Sequence, residues 1–214
     1  MDNDDDAGPA HPWSDEHTGA RRALAAEVRG LVPLTVLTTV DDEALARAAA
    51  LVAEAAAILA ASARTSRYQG NQGLAAGSDA NAAIWETHAM FGASHPFAPP
   101  LLVSERPPRL EGTVTFGPGY EGGPGAVYGG YVAAAFDAAI GRAVLAAGHL
   151  AVTRSLHVRF LRRTPLGTPL RLEAVVGGRT GRDVEATARL SAGDVVLCDA
   201  EAVFTAVDAG RFRI

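Results

Sequence analysis

The 214 residues carry 19 basic and 24 acidic side chains, and a formal net charge of −5 gives no electrostatic footing for nucleic acid. Every basic residue is arginine, which excludes Schiff-base lysine chemistry and a P-loop lysine. A single cysteine, Cys198, excludes an internal disulfide framework and suits a reducing compartment.

Residues 1–13 are acidic, contain Gly and Pro, and predict a disordered tail. They lack the basic-then-apolar order of a signal peptide, and no run of roughly 18–20 strongly apolar residues predicts a membrane span. The expected location is cytoplasmic. Residues 14–65 read as a helical extension, with Ser14 as a cap, Gly30 and Pro33 as breakers, and Asp41 or Asp42 opening a second helix. In that helix Leu45, Ala48, Val52, Ala56 and Leu59 form one stripe, the pattern of an amphipathic packing helix. Residues 66–108, with Gly70, Asn71, Gly73, Gly77 and HPFAPP, predict an irregular linker or lid.

From Arg109 the pattern tightens into a domain over 109–214. Leu110, Gly112, Val114 and Phe116 alternate with Glu111, Thr113 and Thr115, as a half-buried strand does. GGPGAVYGGYVAAAFDAAIG (122–141) follows as a glycine-rich turn and a helix apolar on all sides, hence buried. Asp137 sits inside it with Ala133, Ala134, Ile140 and Gly141 as helical neighbours, so none of them neutralises it. Strands are predicted near 151–161, 169–176, 183–190 and 195–206, with short turn-rich links that imply antiparallel hairpins. On the first of these, Val152, Leu156, Val158 and Phe160 share one face by simple alternation, and Thr153, Ser155, His157 and Arg159 the other. The fold class is α+β, a sheet folded against one helix.

This order, with two motifs, resembles the hotdog fold of acyl-CoA thioesterases of the PaaI/THEM4-like group. The family pattern has a Pro-Gly turn, His-Gly-Gly, and an acid seven residues after the second Gly. Gly129, Gly130 and Asp137 meet that spacing, with Tyr128 in place of the His. VTRSLHVRFLRRTPLGTPL (152–170) is similar to the family's strand and Pro-Leu-Gly turn, with Arg162-Arg163-Thr164-Pro165 where Arg-Pro is usual. The resemblance covers 109–207 and leaves the helical half outside.

It implies hydrolysis of acyl thioesters, acyl-CoA to acid and CoA, by a homodimer or dimer of dimers. Asp137 is then base or nucleophile, across the dimer interface. Gly130 N–H is the main oxyanion donor at the helix start, where amides lack intrahelical partners, and Gly129 lets the carbonyl approach. Thr153 holds the water or the carboxylate. Tyr128, with an ordinary pKa near ~10, is a hydrogen-bond donor rather than a base. Ser155 is a substrate-binding candidate, and Arg162, Arg163, Arg179 and Arg182 are candidates for the phosphates of CoA.

No cofactor is expected beyond the CoA of the substrate. Six histidines (His11, His17, His88, His95, His149, His157) show no compact ligand spacing, so no metal is expected. Cys198 alternates with Val196, Ala200, Ala202 and Phe204 and reads as a core thiol. Two alternatives stand beside the thioesterase: a non-catalytic acyl-CoA or acyl-carrier-binding protein, suggested by Tyr128, and a 3-hydroxyacyl thioester dehydratase. The latter ranks lower because no histidine accompanies Asp137 locally.

Overall fold

The computed structural model describes residues 15–67, 84–99 and 101–208; the tail at 1–13, Ser14 and the glycines at 70–77 lie outside them. Two helices come first, α1 (Asp15–Leu37) and α2 (Asp42–Ala60). Six strands, a long helix and a short 3-10 helix (Pro118–Tyr120) follow: β1 (Leu101–Arg106), β2 (Arg109–Val114), α3 (Gly129–Ala146), β3 (Ala151–Phe160), β4 (Leu170–Thr180), β5 (Asp183–Ala192) and β6 (Val195–Ala206). The strands form one sheet in the order β1-β2-β4-β5-β6-β3, antiparallel at every pairing. Gly181 and Gly193 take φ of 61° and 54° in the two tight hairpins, where a Cβ would be strained.

The sheet wraps α3. Val132, Ala135, Phe136, Ala139, Ile140, Ala143 and Val144 are buried against inward residues of β2, β4, β5 and β6, among them Leu110, Leu172, Val184, Leu190 and Phe204. By length and composition α3 is apolar enough to cross a bilayer, and here it is the core helix of the sheet. Small Ala side chains along it let the strands approach closely, while Phe136 and Ile140 fill the space between.

Three expectations change. Leu101–Arg106, inside the segment expected to be irregular, is an edge strand. It buries only Leu101, so it leaves no period-two signal in the sequence. Helix α1 continues through Gly30 and Pro33 to Leu37; Val32 and Pro33 pack beside Gly119, and that contact accompanies the unbroken helix. Helix α2 is capped by Asp41, whose Oδ1 accepts from Ala44 N–H at 2.9 Å, yet it buries no residue. Its apolar stripe therefore packs on nothing among the described residues.

Residues 84–98 join the helical extension to the sheet. Met90 and Phe91 enter the core, Trp85 meets Phe91 edge-on at 5.6 Å, and the Arg142 guanidinium lies 4.8 Å from the Trp85 ring. Arg142 also pairs with Glu105. Helix α1 is tied to this segment by Arg22, bidentate on Glu86 at 2.7 and 2.8 Å. Arg29 adds bonds to the carbonyls of Ala93, His95 and Ala98.

Candidate functional site

Asp137 is half-buried on α3, and its partner comes from β3: Thr153 Oγ1 donates to Asp137 Oδ1 at 2.7 Å. Simple alternation along β3 puts Thr153 on the face away from the helix, so the contact needs a cause. Between Thr153 and Ser155 the register of β3 against β6 slips by one residue: Thr153 faces Phe204 and Ser155 faces Val203. Arg154 is the extra residue of a β-bulge. Directly opposed residues share a sheet face, and Phe204, Ala202, Ala200 and Cys198 are all buried on the helix side. Thr153 therefore faces inward with Leu156, Val158 and Phe160, which corrects its assignment to the face of Ser155, His157 and Arg159. Arg154 holds the bulge from outside by pairing with Asp183 at 2.5 Å, and Asp183 in turn accepts from Thr205 Oγ1 at 2.7 Å.

The start of α3 is built by Tyr128, Gly129 and Gly130. Tyr128 is the N-cap residue, makes no side-chain cap bond, and is 59% exposed. Its N–H donates to the Tyr120 carbonyl at 2.8 Å and its carbonyl accepts from Tyr131 N–H at 2.9 Å. Gly129 and Gly130 occupy the first two helical positions, whose amides have no intrahelical acceptor and lie at the positive end of the dipole. What the absent side chains admit is an aromatic ring at each. A Cβ on Gly129 would stand 3.2 Å from the Phe160 ring, and one on Gly130 would stand 2.6 Å from the Tyr128 ring.

The remaining candidates divide between the two ends of the sheet. Arg163 donates to the Pro124 carbonyl and Arg162 to the Val196 carbonyl at 3.0 Å, both near the start of α3. Arg179 bonds the Gly181 carbonyl and Arg182 the Ala206 carbonyl, beside the beginning of β3. From Leu190 to Asp183 along β5 is seven residues, so the two pairs stand about 20 Å apart. The four do not form one cluster, and each already bonds a turn or strand carbonyl. Ser155 is exposed on the outer face, lining a shallow groove with His157, Glu185 and Glu201, away from Asp137.

Two residues not singled out from the sequence belong to this architecture. Phe160 is the ring against Gly129. Tyr120 supports Tyr128 through its carbonyl, donates its hydroxyl to the Phe97 carbonyl at 3.0 Å, and is pushed up to about 12 by burial. Its ring stacks edge-on with Phe116 and Tyr131, a cluster foreshadowed by the spacing of aromatics in FGPGYEGGPGAVYGGY. Cys198 is fully buried, its thiol pushed up by burial, as a core residue's is.

Comparison with known proteins bears on the fold. Residues 118–207 match the family described as the acyl-CoA thioesterase N-terminal domain. A crystal structure of a thioesterase superfamily protein superposes with a TM-score of 0.74 at 24% identity, covering 86% of this chain and 94% of that one. A hypothetical thioesterase from Streptococcus pneumoniae TIGR4 with coenzyme A (TM-score 0.48, 16% identity) covers 50% of this chain and 88% of its own. The E. coli PaaI protein of the phenylacetic acid degradation operon (TM-score 0.47, 17% identity) covers 50% and 80%. No curated protein matches the chain. The chain thus carries a hotdog domain, six antiparallel strands around α3, that over residues 118–207 matches the acyl-CoA thioesterase family.

Proposed function

We propose that the protein hydrolyses acyl-CoA thioesters at a site shared by two copies of the chain. The observation that carries the reading is the Thr153–Asp137 hydrogen bond, which a bulge in β3 makes possible. Gly130 and Asp137 are seven residues apart on one helix, about 10 Å along its axis. Direct attack needs the carboxylate and the oxyanion donor each within roughly 3 Å of the reacting carbonyl, and that favours an acid and a donor from different chains.

β3 is an edge strand with Val152 and Phe160 exposed along it and Leu161 exposed just past its end. An exposed edge of this kind is a template for a second strand. Two-fold pairing of β3 with its copy runs antiparallel, which sets the Thr153 end of one chain beside the Phe160 end of the other. Asp137 of one copy then meets Gly129 and Gly130 of its partner. The unpaired edge and the separation along α3 call for the same dimer.

In this site the thioester oxygen lies against the Gly130 N–H, which stabilises the oxyanion as it forms. Asp137, oriented by Thr153, takes a proton from water as the water oxygen bonds to the carbonyl carbon. Collapse of the tetrahedral species breaks the C–S bond, the acid leaves, and the sulfur takes the proton back. In direct attack the Asp137 carboxylate bonds to the carbonyl carbon, and the C–S bond breaks to give the CoA thiolate and an acyl anhydride. Water then opens the anhydride to the acid, restores the carboxylate and gives its proton to the thiolate. Neither route asks for a metal or for a cofactor other than the CoA of the substrate. Arg162 and Arg163, close to the helix start, are better placed for its phosphates than Arg179 and Arg182.

The test is thiol release from short, aromatic and long acyl-CoAs by the wild type and by Asp137→Asn. Turnover that falls at least about 100-fold in the variant supports the reading; turnover that survives removes Asp137 from it. A second reading rests on the Tyr128 ring lying against Gly130: acyl-CoA is bound and not cleaved. It predicts ligand binding without thiol release, and activity gained by Tyr128→His.

A further inference from the structure

Helix α2 is unpartnered, and its sequence is arranged for one kind of partner. At 100° per residue Leu45, Leu51, Val52, Ile58 and Leu59 all fall within an arc of about 140°, centred on Ala48 and Ala55. Alanines occupy most of the opposite side. All five large side chains are exposed, Leu51 by 66% and Ile58 by 70%. In proteins most helical stability comes from packing of an apolar face, and this 19-residue helix leaves its apolar face bare. Nothing among the described residues covers this one.

Beyond its first turn α2 has two charged residues, Arg47 and Glu54. Both are exposed, and neither makes an ion pair among the described residues. They are seven residues apart, hence about 20° apart on the same flank of the apolar face. Two copies of a helix paired antiparallel about a two-fold axis oppose like flanks. With the axis between Ala50 and Leu51, Arg47 stands level with Glu54 of the other helix, and Glu54 with Arg47. A parallel pair instead faces this flank with the one bearing Ala49 and Ala56, and leaves both charges unmatched.

We propose that α2 is a self-association helix, pairing antiparallel with α2 of a second copy through its Leu/Val/Ile face and two symmetric Arg47–Glu54 contacts. The small residues at Ala48 and Ala55 bring the two backbones close, and the aliphatic side chains close over them from both sides. The pairing is independent of the thioesterase reading and uses none of its residues.

The test uses the full chain and a short bismaleimide cross-linker. Leu51→Cys places a thiol beside the proposed axis, and Ala57→Cys places one on the far side of the same helix; the wild type controls for buried Cys198. Cross-linked dimer is expected from Leu51→Cys and not from Ala57→Cys. Adding Arg47→Glu sets like charges opposite each other twice and lowers the yield about fivefold at limiting protein. Adding Glu54→Arg as well exchanges the charges and restores it. Equal yields at positions 51 and 57, as expected if another segment or another face covers α2, overturn the proposal. A single reversal without effect, or a double exchange that fails to restore the yield, overturns it too.

Discussion

His88 is the best place to test the packing that joins the helical extension to the hotdog domain. Its ring is largely buried between Trp85 and Phe91, at centroid distances of 5.1 and 5.4 Å, and its Nδ1 accepts from Met90 N–H at 3.1 Å. Burial first, then the positive charges of Arg67, His95 and Arg142, lower its pKa from the ordinary 6.5 to about 4. The unfolded chain therefore binds the proton first as pH falls. His88 contributes its full stabilisation above pH 6.5 and loses it between there and pH 4. At pH 5 the two pKa values give a loss of about 2 kcal/mol, reduced to about 1–2 kcal/mol because the ring is not wholly shielded.

His88→Asn keeps an acceptor near the Nδ1 position and does not titrate. Urea unfolding of both proteins at pH 8, 7, 6 and 5 separates this residue from others that respond to acid, including His95, also lowered by burial. The wild type should lose about 1–2 kcal/mol more than the variant between pH 7 and pH 5. A stability difference that stays constant over that range would refute the argument, and would mean that His88 is solvated in the folded protein.

Three further outcomes follow from the geometry. Thr153→Val removes the hydroxyl held by Asp137, so kcat for thiol release should fall about tenfold with KM little changed, and Thr153→Ser should recover most of it; a valine variant at full kcat would strip Thr153 of any positioning role. Ile140→Ala opens a cavity on the fully buried face of α3 and should cost about 2–5 kcal/mol by urea denaturation; a loss under 1 kcal/mol would mean the sheet collapses onto the gap. Arg29→Met leaves the carbonyls of Ala93, His95 and Ala98 without their guanidinium and should cost about 1–3 kcal/mol, with faster amide exchange across 84–98; unchanged exchange would show that water serves those carbonyls equally well.

Much of the hotdog domain is written in local pattern. β2, β4, β5 and β6 alternate with period two, α3 is apolar on every side, and the turn glycines stand where hairpins need them. A carboxylate without charged neighbours in an apolar helix singled out Asp137, and the family resemblance added Gly130 and Thr153. Facing is what local pattern misplaces. β3 has an extra residue whose presence depends on how β6 pairs with it, and no periodicity within β3 announces that. The same holds for β1, where one buried side chain leaves no alternation to read. It holds also for α1, where the contact of Val32 and Pro33 with Gly119 lies some 85 residues away in sequence. Ser155 and the four arginines rest on residue type and local pattern, and tertiary placement divides the arginines between two ends of the sheet and sets Ser155 on its outer face.

The bulge at Arg154 makes the site a matter of counting. What turns the Thr153 hydroxyl toward Asp137 is that one residue more than the ladder needs lies in between, and the Arg154–Asp183 pair only steadies that count from outside. A scan of substitutions at position 154 would register only the modest loss of an exposed ion pair. Deleting it keeps every chemical group of the site and points one of them at solvent. Residue-by-residue alignment with hotdog chains that lack the bulge would likewise set Thr153 against a position on the wrong face, unless a gap is opened at 154. Here the length of the strand carries information in its own right, and an insertion or deletion is the lesion to fear.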